Sequence, residues 1–301
     1  MLALIDAQTL VDAIGLGSIY ALMAVGIGLV FGVLRLINFA YGQLIMAGAY
    51  TLAYTASWPV VWSVLMCFAV VIAMSMAMDR VVFRPLREQS PAVMLVTTFA
   101  IAFMLQAIAL LIDLRDDTIG EVASSVAPLN QVVTVHGVDV HKVIFVSVGV
   151  TVAIMLLLAL LLTRTTIGLH MRAAATDFPT ARLLGVRANR VIGFAVFLSA
   201  LVAATVSVLM TVSNPFVGPD FALRETIVVL VGVVVGGMNR LWTATLGGFA
   251  IGFATGVING ALPTEKSMYL PTAVFTLVIL VLLLRPAGLF TWGRQAQVER
   301  V

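Results

Sequence analysis

The chain has 301 residues, of which 61% are hydrophobic and only 10% are charged. A water-soluble core of this size cannot house so many apolar residues, so we predict an all-α polytopic membrane protein that forms one domain over residues 1–301. The formal net charge of +3 gives no indication of a nucleic-acid partner, and membrane lipid is the expected surrounding.

Nine apolar segments follow one another along the chain. A helix needs about 20 apolar residues to cross about 30 Å of hydrocarbon, and seven segments meet that length. Two more, 43–56 and 225–237, are apolar but short. The predicted number of crossings is therefore nine, or eight or fewer if either short segment is re-entrant. The seven long segments are 12–34, 60–78, 92–112, 143–163, 191–213, 241–260 and 268–284.

The N-terminal stretch MLALIDAQTLVDAIG has no basic region and leads directly into the first span, so we expect no cleaved signal peptide. The single cysteine, Cys67, lies in an apolar run, which excludes a disulfide framework and a cysteine metal site. We expect Cys67 to be a packing residue, and we expect no metal site.

The basic residues indicate how the chain is oriented in the membrane. If the N-terminus lies outside and the nine segments alternate, thirteen of the seventeen Lys and Arg residues fall on one side. Lys and Arg accumulate on the cytoplasmic side of membrane proteins, so that side and the C-terminus are predicted to be cytoplasmic. The cytoplasmic segments are then 35–42, 79–91, 164–190, 238–240 and 285–301.

The first and last thirds of the chain have the same order of elements with opposite predicted directions. In each, a long span is followed by a polar break, a short apolar segment, a tight turn and another span. The breaks read RLINFAYGQ and NPFVGPDFALRE. Such interrupted segments at corresponding positions indicate an inverted repeat with a central binding path. We expect repeats over about 11–113 and 190–284, linked by the span 143–163.

The first break contains the residues that we expect to line a substrate path. The side chain of Asn38 can cap the following short helix, and Gly42 permits a bend or a close approach. The positive end of a helix dipole suits a carboxylate, and Tyr41 and Gln43 can add hydrogen bonds. Asn214, at the start of the second break, is a further candidate. An interfacial turn with an aromatic anchor is the alternative interpretation.

Four glycines recur four residues apart on one predicted helical face. Small faces let transmembrane helices approach closely, so we expect a helix-packing surface; a smooth surface for a sliding substrate is the alternative. The glycines are Gly248, Gly252, Gly256 and Gly260.

The interiors of the predicted spans contain no titratable residue. Asp12, Asp79, Asp113 and Glu225 lie at segment ends, and the three histidines lie in loops. A carrier driven by protons or sodium usually needs such groups at the midplane, and an intramembrane hydrolase needs them to activate a nucleophile. We therefore expect the driving force to come from another subunit, unless the protein is a passive pore.

The longest basic loop, residues 163–190, reads TRTTIGLHMRAAATDFPTARLLGVRANR. Its alanines and leucines favour a short helix, and Gly185 suits the C-terminal end of that helix. Such a helix could lie on the membrane surface or could be a docking helix for a cytosolic motor.

Four stretches, in order along nearly the whole chain, carry a family resemblance. They read GLGSIYALMAVGIGLVFGVLRLINFAYGQLIMAGAY, FRPLREQSPAVMLVTTFAIAFMLQ, TTIGLHMRAAATDFPTARLLGVRANRVIGFAVFLSALVAA and LLLRPAGLF. Together they resemble the LivH-type permease subunits of branched-chain amino acid ABC importers.

The resemblance implies an ATP-driven importer of branched-chain amino acids, or of a related small amino acid, amide or carboxylate, in the bacterial inner membrane. ATP and Mg²⁺ would bind to two cytosolic ATPase subunits. This chain lacks a G-x-x-x-x-G-K-[ST] phosphate loop. It would therefore be a transport subunit without a cofactor or enzymatic activity. The other implied partners are a second permease of the LivM type and a soluble substrate-binding protein outside. The family's ATPase-coupling segment maps onto residues 164–190, at Arg172, Ala173, Ala174, Asp177, Ala181, Leu184 and Gly185.

Two departures from the family pattern lie near the expected path. Tyr41 and Gln43 stand where members commonly have a histidine and an aspartate, and NRLWTA, from Asn239 to Ala244, replaces an SxxGA-like turn. The substrate class is therefore left open among branched-chain amino acids, urea, amides, and aromatic or dicarboxylic acids. Two other functions also stay open: a motor-free channel or facilitator for small polar solutes, and a membrane scaffold without a permeation path.

Overall fold

The computed structural model describes residues 7–34, 37–86, 89–115, 117–118, 120–135, 138–176, 178–237 and 240–284. Within these ranges, seven helices are long and apolar enough to cross a membrane. They correspond to the seven long segments predicted from the sequence, so the all-α polytopic fold is confirmed. Asp177, Asn239 and the C-terminal segment 285–301 lie outside the described residues.

The helices follow one another with short connections. A π-helical turn, Asp79–Phe83, joins α3 to α4, and 3₁₀ turns occupy Ala127–Leu129 and Thr264–Tyr269. The helices are α1 (Ala7–Leu34), α2 (Tyr41–Tyr54), α3 (Val60–Met78), α4 (Arg84–Leu86), α5 (Pro91–Arg115), α6 (Lys142–Arg164), α7 (Thr166–Thr176), α8 (Phe178–Leu183), α9 (Ala188–Ser213), α10 (Leu223–Gly236), α11 (Leu241–Ala261) and α12 (Leu270–Leu284).

The two short apolar segments are also helices, but neither is long enough to cross a bilayer alone. Helices α2 and α10 contain 14 residues each. At about 1.5 Å per residue such a helix extends about 21 Å, against about 30 Å of hydrocarbon. At least one end of each short helix therefore lies below the membrane surface.

Helix α1 is the central helix of the bundle. It packs against α6, α9, α10 and α11, and most of its residues are buried. Helix α9 is also mostly buried, whereas only a small share of α5, α6 and α12 is buried inside the bundle. Exposed apolar side chains such as Phe103, Leu111 and Leu157 suit a surface that contacts lipid.

Glycines bring α11 close to α1. A Cβ atom on Gly248, Gly252 or Gly256 would lie 2.5–2.7 Å from the nearest atom of α1, which is closer than side chains pack. The prediction that this face packs against another helix is confirmed. The alternative, a surface for a sliding substrate, is wrong because α1 covers the face.

Four short strands, among the described residues, lie at one end of the bundle, where the sequence predicted only loops. Strand β1 (Glu121–Val122) pairs antiparallel with β4 (Phe216–Val217), and β2 (Val132–Val135) pairs antiparallel with β3 (Val138–His141). The valines and the threonine of β2 favour extended backbone. The pairing of β1 with β4 joins the segment after α5 to the segment after α9.

Candidate functional site

The N-termini of the two short helices meet inside the bundle. A Cβ atom on Gly42, in the first turn of α2, would lie 2.5 Å from Thr226 Oγ1 and 2.8 Å from the Ala222 carbonyl oxygen, both at the start of α10. Gly42 is therefore needed for a close approach, as expected from the sequence. Tyr41, next to Gly42, places its hydroxyl beside Gly26, eight residues before the end of α1. The meeting point of α2 and α10 thus lies inside the bundle, away from the ends of α1.

The break before α2 is held by its own backbone and by α5. Asn38 Oδ1 accepts a hydrogen bond from the Ala40 N–H at 3.1 Å. The N-cap of α2 is Ala40, without a side-chain hydrogen bond. The prediction that Asn38 caps α2 is therefore wrong, because its side chain closes a turn just before the helix. The Phe39 N–H donates to Thr98 Oγ1 of α5 at 3.4 Å, which anchors the break from the other side.

Tyr41 and Gln43 are buried and carry polar atoms without a partner. Each side chain is only 1% exposed. Among the described residues, neither the Tyr41 hydroxyl nor Gln43 Oε1 has a hydrogen-bond partner. The Tyr41 hydroxyl occupies the space beside Gly26 of α1. Because buried polar groups are nearly always bonded, these two atoms are candidates for contact with a passing solute.

Glu225 is a third residue with an unpartnered polar atom in this region. Its Oε2 atom is buried and has no hydrogen-bond partner in the described part of the chain. The prediction that no titratable residue lies inside the bundle is wrong for Glu225. It does lie at a helix end, as predicted, but that end is the start of α10, which packs against Gly42 inside the bundle. An ionisable residue in such a position indicates a functional site.

Two other carboxylates at helix ends are buried, and each has one oxygen that is held by partners, whereas Asp113 Oδ1 has no partner among the described residues. Asp79, in the π-helical turn, forms an ion pair with Arg84, with 3.0 Å between Oδ2 and Nε. Asp113 Oδ2 accepts hydrogen bonds from the Tyr50 hydroxyl at 2.8 Å and from the Gly120 N–H at 3.0 Å. These contacts hold the ends of α3 and α5 in place, so they give both residues a structural role.

Asn214 does not lie with the other path candidates. It is exposed at the end of α9, where its Oδ1 accepts a hydrogen bond from the Phe216 N–H at 3.3 Å. This turn leads into β4, at the strand-bearing end of the bundle. Asn38, Tyr41 and Gln43 are thus buried around the start of α2, whereas Asn214 is exposed.

Two serines of α9, not singled out in the sequence, join the elements around Tyr41. Ser207 Oγ donates to the Ile45 carbonyl of α2, and Ser199 Oγ donates to the Gly26 carbonyl of α1, each at 2.8 Å. Both serines are buried. The two serines are about two helical turns apart, on one broad face of α9. This spacing is the signal that could have identified them in the sequence.

The predicted cytoplasmic loop forms two short helices, α7 and α8. Gly185 has a positive φ of 88°, and the Val186 N–H donates to the Ala181 carbonyl at 3.0 Å. This left-handed glycine after the last helical turn is a common C-terminal stop. The prediction of a short helix that ends at Gly185 is confirmed.

The predicted coupling residues divide into exposed and buried groups. Arg172, Leu184 and Gly185 are exposed, and Ala173 is half-buried. Ala174 and Ala181 are buried, and helix α7 packs against α1, α6 and α9. Only the exposed group is available to another protein.

Similarity to known proteins identifies the family of this chain. The profile of the family described as branched-chain amino acid transport system / permease component matches residues 9–285. The chain belongs to this family. The permease is 30% identical to the high-affinity branched-chain amino acid transport system permease protein BraD of Pseudomonas aeruginosa, over 98% of this chain and 97% of BraD. It is 28% identical to the corresponding permease protein LivH of Escherichia coli, with the same coverage.

A solved structure has a similar fold. PsaBC from Streptococcus pneumoniae in complex with a Fab superimposes with a TM-score of 0.50 at 13% sequence identity, over 94% of this chain and 95% of that chain.

The family and its relatives confirm the resemblance seen in the sequence. The chain is a permease subunit of an ABC importer, with a transport role and not an enzymatic one.

Proposed function

We propose that the permease moves a small zwitterionic solute inward through the meeting point of α2 and α10, with branched-chain amino acids as the first candidates. Three buried polar atoms without partners in the described chain support this: the Tyr41 hydroxyl, Gln43 Oε1 and Glu225 Oε2. In a bilayer such atoms are costly unless something binds them. The names of BraD and LivH as branched-chain amino acid permeases support the same substrate class, or a related small amino acid, amide or carboxylate.

The charges around the meeting point match the two ends of an α-amino acid. The positive ends of two helix dipoles, at the N-termini of α2 and α10, attract a carboxylate. The Glu225 carboxylate attracts an ammonium group. A solute that carries both groups would engage the two short helices at once.

The driving force comes from two ATPase subunits that dock on α7 and α8. Leu183 and Leu184, at the end of α8, are 89% and 80% exposed. Adjacent exposed apolar side chains of this kind favour a protein contact. A second permease of the LivM type and a soluble substrate-binding protein complete the transporter, in which ATP and Mg²⁺ bind to the ATPase subunits.

The two units α1–α3 and α9–α11 form an inverted repeat around the path. Each contains a long helix, a break, a 14-residue helix and a second long helix. With the N-terminus outside, the arginine-rich segments and α7–α8 face the cytoplasm of the bacterial cell, where the ATPase subunits are.

Uptake into proteoliposomes tests this function. The complete transporter is reconstituted with ATP on the ATPase side, and radiolabelled leucine is added with the binding protein. We expect Glu225→Gln and Gln43→Leu each to lower uptake by roughly tenfold or more, because a bond to a charged solute group is lost. Glu265→Gln, at an exposed glutamate in a 3₁₀ turn, is the control and should transport normally.

Uptake by both path variants at the rate of the unmodified transporter would refute the role of the meeting point. Uptake that persists without ATP would support the motor-free facilitator instead.

A further inference from the structure

A second feature of the bundle, separate from the meeting point of α2 and α10, is a cavity of about 670 Å³ between α1, α6, α7 and α11. We call it the arginine cavity, because Arg172 and Arg240 line it. Its volume falls within the range of about 300–1,000 Å³ that is typical of small-molecule sites. The lining of the arginine cavity does not include Asn38, Tyr41, Gln43 or Glu225. The cavity is therefore not part of the proposed path.

The polar part of the lining is cationic. Arg172 lies on α7, Arg240 lies just before α11, and two threonines, Thr163 and Thr176, add hydroxyl groups. The described residues that line the cavity include no acidic side chain, and neither arginine forms an ion pair within the described ranges. Two guanidinium groups without a carboxylate attract an anion, and phosphate is the anion whose geometry a guanidinium matches best.

The rest of the lining is apolar and lies beside a lipid-facing surface. Leu158 and Met171 form buried walls, whereas Trp242 is more than half exposed. Leu157 and Leu160, on the neighbouring face of α6, are exposed apolar residues of a span. Tryptophan is enriched where a membrane protein meets lipid head groups. A free anion would use the arginines alone, whereas a lipid would also cover the apolar walls.

We propose that the arginine cavity binds one anionic phospholipid, with its phosphodiester group on Arg172 and Arg240 and an acyl chain along α1 and α6. Basic pockets between transmembrane helices bind anionic head groups in this way. The bound lipid connects α7 to the start of α11, two elements that are far apart in the sequence. This site is independent of the transported solute.

Glycines provide a way to fill the cavity without disturbing helix packing. Gly32 lines the cavity, and a Cβ atom placed there meets no atom within 4 Å. Gly149 also has open space around it, but it is on the exposed surface of α6 and does not line the cavity. Gly32→Leu and Gly149→Leu are therefore a matched pair. Arg164, exposed at the end of α6 and absent from the lining, is the matching control for the two arginines.

Native mass spectrometry of the complete transporter measures lipid binding directly. Phosphatidylglycerol and phosphatidylcholine with identical acyl chains are titrated, and sn-glycerol 3-phosphate is titrated as the head group without chains. We expect one phosphatidylglycerol per permease to bind more tightly than phosphatidylcholine. In the double variant Arg172→Gln/Arg240→Gln, the affinity for phosphatidylglycerol should fall roughly 30-fold. In Gly32→Leu, the binding of phosphatidylglycerol at this site should be lost. Arg164→Gln and Gly149→Leu should bind as the unmodified transporter does.

Several results would overturn the proposal. Unchanged phosphatidylglycerol binding by the double arginine variant would show that the lipid binds elsewhere. An equal loss in Arg164→Gln would show that only overall charge matters. Binding of glycerol 3-phosphate as tight as that of the lipid would show an anion site without a role for the apolar walls. Because the arginine variants alter only exposed side chains, they test the site even if Gly32→Leu fails to fold.

Discussion

The exposed pair Leu183 and Leu184 provides a direct test of ATPase docking. Full burial of a leucine side chain contributes about 1.5–3 kcal/mol relative to exposure, and truncation to alanine removes most of that. Both side chains are almost fully exposed, so nearly all of their surface is available to a partner. If docking buries them, Leu183→Ala/Leu184→Ala should cost about 2–4 kcal/mol of binding free energy. The affinity for the ATPase subunits should then fall roughly 30- to 1,000-fold.

The assay is a titration of purified ATPase subunits against the permease in lipid nanodiscs, followed by ATP-dependent uptake in proteoliposomes. The control is Leu157→Ala/Leu160→Ala. The side chains of these two leucines are 62% and 60% exposed, but they lie on a membrane span and not on α8. The control should bind the ATPase subunits normally. An affinity of the Leu183/Leu184 variant within threefold of the unmodified protein would refute docking through α8.

Ala174 is a poor position for this test, although it belongs to the coupling segment mapped from the sequence. Ala174 and Ala181 are only 4% and 3% exposed, and α7 packs against α1, α6 and α9. A larger side chain at Ala174 would disturb the packing of α7 and lower stability, whether or not α7 contacts an ATPase subunit. Loss of uptake in such a variant would therefore give no information on docking.

Two further predictions concern the stability of the bundle. Gly252→Leu should lower the free energy of unfolding by about 1–3 kcal/mol or prevent folding, because a Cβ atom there would lie 2.7 Å from Tyr20 Cβ. Thermal unfolding in detergent measures this loss. A loss of stability no larger than that of Gly149→Leu would contradict the prediction. Tyr50→Phe should lower the free energy of unfolding by about 1–3 kcal/mol, because it removes the 2.8 Å hydrogen bond to the buried Asp113 carboxylate. Unfolding in denaturant measures this change. An unchanged midpoint would show that the bond does not contribute to stability.

Most of the fold could be predicted because membrane spans are determined by length and hydrophobicity. Each predicted apolar segment is a helix, and the glycine face of α11 packs as its four-residue spacing indicates. The strands could not be predicted in the same way. Strands β1 and β4 contain two residues each, and they pair across almost a hundred residues of chain. No local pattern carries such a long-range contact.

The candidate site was predictable only in part, for a related reason. The residue types in the first break indicate Asn38, Tyr41 and Gln43 as candidates, and all three residues are buried in the structure. Asn214 begins the corresponding break in the last third of the chain, but corresponding positions along the chain do not ensure a shared depth. Asn214 ends a long helix at the surface, whereas Tyr41 begins a short helix in the interior.

Glu225 changes the physical reason for expecting an external motor. From the sequence, a bundle without interior titratable groups had no means to use an ion gradient, so the work had to come from another subunit. The carboxylate of Glu225, at the start of α10, has a buried oxygen without a partner among the described residues, so that absence no longer holds. The ABC-importer class now rests on family membership. Within that class, an interior carboxylate is better suited to hold the ammonium group of a solute than to carry a coupling ion, because the ATPase subunits already supply the free energy of transport.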